Sequence, residues 1–157
     1  MAVLVEEEAM QVDARPWPDD RPLSLTDEHG LLLRQVAARA EELLAVTSVG
    51  GWPGRELEAL VTYLRVEVLR QAHDEERLLF PAGTSSPALE RLGRDHTVLH
   101  LLTETLAAAA GERPRVPAEL AATTRELVAH LERHLSDEEA VLADEDERGG
   151  TPGCGGL

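Results

Sequence analysis

The chain has 157 residues, enough for one domain with one substantial core. A net charge of -15 sets it against phosphate backbones and anionic lipid, so nucleic acid and membrane surfaces are poor partners. Apolar residues make up 43% but aromatic residues only 3%, which implies an aliphatic core of Leu, Val and Ala and favours helices over strands.

In chain order, the opening "MAVLVEEEAM" lacks the basic region of a secretory leader, and no apolar run approaches bilayer length. The lone cysteine, Cys154, cannot form an internal disulfide, so a cytoplasmic protein is expected. Residues 1–23, with "ARPWPDDRP", read as an irregular arm whose one large apolar anchor is Trp17. Four helical segments follow. The first runs from about Leu25 to Thr47 and is closed by "SVGGWPG"; the second runs from about Arg55 to Phe80 and is stopped by Pro81 and Gly83. Ser86 and Pro87 supply an N-cap and a first-turn proline for the third, which ends near Ala110. Pro117 opens the fourth, which fades near Asp144, and residues 146–157 read as a disordered Gly-rich tail. Helices of this length with short connections predict an all-α, up-down-up-down four-helix bundle over residues 24–145.

A bundle helix buries a stripe that steps by three and four residues. The first segment gives Leu25, His29, Leu32, Val36 and Leu43, and the second gives Leu57, Leu60, Leu64, Val68, Gln71, Glu75 and Leu78. Leu89, Leu92, His96, Leu99, His100, Thr103 and Leu106 form the third stripe. The fourth is Leu120, Thr124, Leu127, Leu131, His134, Glu138 and Val141. Each stripe is apolar except where polar groups interrupt it, and in every helix these include His or Glu. Burying an unpaired carboxylate or imidazole costs roughly several kcal/mol. Divalent cations relieve that cost, because neutral imidazole and carboxylate both ligate them. The spacings His96-xxx-His100 and His134-xxx-Glu138 each put two donors on one helical face. The competing reading is a bundle with buried polar networks and no metal. Glu75 and Glu138 both sit in "DEE" runs, which are commonly solvated faces, and only register separates them from Glu76 and Glu139. At about 100° per residue, Gln71 shares a face with Glu75, whereas His73 lies roughly 200° away from Gln71, on the flank. His130 is likewise off the seam of its helix. No Ser-His-Asp arrangement and no phosphate-binding loop is present.

These motifs resemble the hemerythrin-like (HHE cation-binding) family, on His29 in "DEHGLLL", Glu75 in "DEERLLFP", "HTVLH" at 96–100 and "HLSDE" at 134–138. The resemblance implies a four-helix bundle around a non-haem di-iron centre. By that likeness His96, His100 and His134 hold one iron, Glu75 and Glu138 bridge to the second, and His29 is a terminal ligand there. Gln71 stands where the family has a further terminal His; as a neutral, weaker donor it leaves the second iron position weak or open. The function implied is binding or sensing of oxygen, nitric oxide or peroxide. The alternatives are a di-iron peroxidase or oxidase, or a helical interaction module that has lost its metal.

Overall fold

The computed structural model describes residues 24–79 and 86–149. The arm at 1–23 with Trp17, the stop at Pro81 and Gly83, and Cys154 lie outside the described residues. Helix α1 is Leu25–Ser48. The second rod is α2, Gly54–Tyr63, then a π-helical turn, Leu64–Val68, then α3, Leu69–Leu79. Helices α4, Pro87–Ala109, and α5, Pro117–Gly149, complete a four-helix bundle. The last helix therefore continues through Gly149, past the point near Asp144 where its pattern fades and into residues expected to form the tail.

Local chemistry explains the ends. The Ser24 hydroxyl accepts the Asp27 N–H at 3.2 Å, and Ser86 accepts from Leu89 at 3.2 Å with Pro87 in the first turn, so both helices start on side-chain caps. After α1 the chain reverses at Gly50, whose φ of 76° lies in the left-handed region that a side chain disfavours.

Helix α1 packs on α2 and α5, and α4 packs on α5 and on both parts of the second rod. One end of the bundle is closed by aliphatic layers, with Val36, Leu43, Leu60, Leu64, Leu106 and Leu127 fully buried. The other end collects the start of α1, the end of α3, the first half of α4 and the second half of α5. In an up-down-up-down order those four stretches coincide, and they carry the polar seam residues. Among the described residues, no helix is long and apolar enough to cross a membrane.

The π turn alters the register of the second rod. Its extra residue rotates the helix beyond it, so Ala72, 8% exposed, faces the core where the simple period placed Gln71. Gln71 and Glu75 then flank the α1 side, and His73 and Glu76 the α4 side. Leu78, expected on the inward stripe, is 79% exposed.

Candidate metal centre

Four polar residues of the seams are buried at the open end: His29, His96, His134 and Glu138. Glu75 joins them, half-buried. Two overlapping groups result, His29–Glu75–Glu138 and Glu75–His96–His134, and in each the ligating atoms lie within 4.8 Å of one another. Glu75 belongs to both. Its Oε1 is 3.9 Å from His29 Nε2 and its Oε2 is 3.7 Å from His96 Nε2. Glu138 Oε2 lies 3.6 Å from His29 Nε2 and 3.6 Å from His134 Nε2.

Other buried polar groups show what ordinary satisfaction looks like here. Thr103 and Thr124 each donate to a carbonyl of their own helix at 2.8 Å. By contrast His29 Nε2, His134 Nδ1 and Glu138 Oε2 are buried without a hydrogen-bond partner, a costly state for a polar atom. Two of the three point at the space shared by the donor groups.

With both rings neutral, protons do not settle this cluster. His96 Nδ1 donates to Glu76 Oε1 at 2.9 Å, which leaves Nε2 of a neutral His96 as an acceptor. Its 3.0 Å contact with His134 Nε2 then requires an N–H on the latter. A neutral His134 so protonated turns the lone pair of Nδ1 toward Asp95 Oδ2, 3.5 Å away, acceptor against acceptor. The other tautomer sets two Nε2 lone pairs face to face. Doubly protonating His134 is opposed, because burial pushes its pKa down, and a second proton on His96 would join the rings only by putting a charge on a buried imidazole. A cation would remove the conflict, since both Nε2 lone pairs could ligate it and both Nδ1–H groups would be free for carboxylates. The spacing agrees, since two nitrogens about 2.1 Å from one ion and about 90° apart are about 3.0 Å from each other.

The carboxylates show the same strain. Burial, then the shared proton and charge of Glu75, push Glu138 up to about 9. Burial pushes Glu75 up too, but the neighbouring His29, Glu138 and His96 outweigh it and hold that carboxyl below its ordinary value. The pair therefore holds one proton between them where a bound cation would hold none.

Over residues 24–145 the sequence matches the family model described as Hemerythrin HHE cation binding domain. The chain belongs to that family. No curated protein and no solved structure matches it. Against the HHE pattern, His29, Glu75, His96, His134 and Glu138 come together, and His100 does not: it is exposed, beside His73, in a groove between α3 and α4 of about 450 Å³. On the α4 helix Leu99 takes the inward place at 1% exposure, and His100 is turned past it. His73 is exposed, as expected, although it is Ala72 and not Gln71 that faces the core. Gln71 is half-buried and lines a second groove, of about 440 Å³, together with Glu75, Tyr63, Leu25 and Leu32. Both grooves are open to solvent and reach the HHE cluster, one at Glu75 and the other at His96.

Sequence reasoning missed three carboxylates. Glu139 accepts from His29 Nδ1 at 3.3 Å, Glu76 from His96 Nδ1, and Asp95 Oδ2 lies 3.5 Å from His134 Nδ1. Each is the immediate sequence neighbour of a buried donor, so adjacency to the seam was the available signal.

Proposed function

We propose that this HHE domain holds a pair of iron ions at the open end of its bundle and binds or senses oxygen, nitric oxide or peroxide there. The carrying observation is Glu75, which supplies one oxygen to each of two donor groups. His29, Glu75 and Glu138 would hold one ion, and Glu75, His96 and His134 the other. A mixed set of imidazole and carboxylate with no thiolate suits iron or manganese better than a soft metal. Bound iron supplies an exchangeable coordination position and a change of oxidation state; the protein supplies the buried donors and two grooves wide enough for a small ligand.

The test is iron per chain and the ultraviolet–visible spectrum of protein purified from iron-supplemented cells, with and without nitric oxide or peroxide. About two irons per chain and a spectrum that responds to the ligand are expected. A colourless chain that takes up no iron, manganese or zinc would end this reading.

Gln71 lies one helical turn before Glu75, at the edge of the groove that reaches the cluster. Changing Gln71→His should tighten the His29–Glu75–Glu138 position about tenfold, as an imidazole replaces a weak amide donor. Competition against a graded chelator measures this, and an unchanged affinity would show that residue 71 does not reach the ion.

A further inference from the structure

All three buried imidazoles share one arrangement: Nε2 turned to the centre and Nδ1 turned to a carboxylate outside it. Those carboxylates come from three different helices. Glu76 on α3 meets His96 of α4 at 2.9 Å, Glu139 on α5 meets His29 of α1 at 3.3 Å, and Asp95 on α4 lies 3.5 Å from His134 of α5. Each contact crosses a helix interface, so it orients a ring and ties two rods together. Asp95 is itself fixed from the far side. His130 Nε2 donates to the Asp95 backbone carbonyl at 3.3 Å, while His130 Nδ1 accepts from Arg133 at 3.2 Å. That second contact sets the His130 tautomer as a donor toward Asp95.

We infer that Glu76, Asp95 and Glu139 are positioning residues that hold His96, His134 and His29 as Nδ1–H tautomers, presenting three Nε2 lone pairs to the cations. The inference rests on the metal reading above and deepens it. A carboxylate on the outer nitrogen fixes the ring and makes the inner nitrogen a stronger donor, and losing such a partner costs about 10–100-fold in metal affinity. Asp95 stands slightly beyond hydrogen-bond reach of His134 Nδ1, and a cation on the Nε2 side would leave Nδ1–H free to close on it.

The experiment uses the full chain with Glu76→Ala, Asp95→Ala and Glu139→Ala, the amide variants Glu76→Gln, Asp95→Asn and Glu139→Gln, and two controls. Asp74→Asn and Asp137→Asn remove the same charge from exposed positions on α3 and α5 that touch no imidazole. Zn²⁺ and anaerobic Fe²⁺ are titrated against a competing chelator, with circular dichroism to confirm folding. Affinity should fall about 10–100-fold in each alanine variant. The amide variants should fall less, because an amide oxygen still accepts, and the controls should not change. Nitrogen-15 spectra of the metal-free histidine rings give an independent reading. His29 and His96 should be Nδ1–H in the parent and shift toward Nε2–H in Glu139→Ala and Glu76→Ala respectively. Equal losses in variants and controls would reduce the effect to net charge, and unchanged tautomers would overturn the inference. If the parent chain binds neither probe, the metal reading fails while the ring spectra still decide the positioning.

Discussion

Replacing Glu138 with glutamine gives a chain that is more stable without metal and gains less when metal is added. Glu138 is 1% exposed, its Oε2 has no partner, and its carboxyl is pushed up to about 9 by burial and by Glu75. In the unfolded chain the same group titrates near 4.5. The folded pKa is the higher one, so its contribution is fully present below about 4.5 and is lost as pH rises toward about 9. At pH 7 that loss is on the order of 3 kcal/mol, taken from the gap between the two values and part of it shared with Glu75. Glutamine is neutral throughout and its amide still donates to Glu75, so the metal-free variant keeps its stability at pH 7 and 8. Thermal melts at pH 5 and pH 8 should show the variant matching the parent at the lower pH and exceeding it at the higher. Added iron or zinc should raise the parent's melting temperature more than the variant's, because the variant lacks the anionic donor of the His29–Glu75–Glu138 position and keeps only the other. A variant less stable than the parent at pH 8 would mean that Glu138 is a structural carboxylate and not one kept for a cation.

That expectation identifies what kind of feature the sequence can reveal. The stripes of α1, α4 and α5 were legible because three- and four-residue steps place His29, His96, His134 and Glu138 among leucines, and bundle packing honours that period. The caps at Ser86 and Pro87 were legible for a local reason, since a hydroxyl and a fixed φ act within one turn. The π turn at Leu64–Val68 was not, because nothing in "LRVEV" sets it apart from an ordinary helical stretch. It moved Gln71 to the flank and Leu78 into solvent. His100 shows a limit of the four-residue step: it advances about 40° beyond His96, and with Leu99 already inward the ring passes to the groove. Glu76, Asp95 and Glu139 were hidden for a different reason. In the two "DEE" runs, and at Asp95 between Arg94 and His96, a partly exposed carboxylate that crosses to a neighbouring helix looks the same as one that faces only water.

The two donor groups also differ in what each can lose. Glu75→Ala removes an oxygen from both, so bound metal should fall from two ions per chain to none, or to one held weakly. His29→Ala touches only the group it forms with Glu75 and Glu138, and should leave one ion on His96 and His134. His134→Ala should leave the converse ion. Glu75 is half-buried at the lip of a groove, so its truncation opens the site to water without excavating the aliphatic core. Folding should therefore survive, and metal analysis after gel filtration reads the outcome directly. If Glu75→Ala keeps as much metal as His29→Ala, then Glu75 serves one ion only. In that case Glu138, whose Oε2 is equally near His29 and His134, would be the group that joins the two positions.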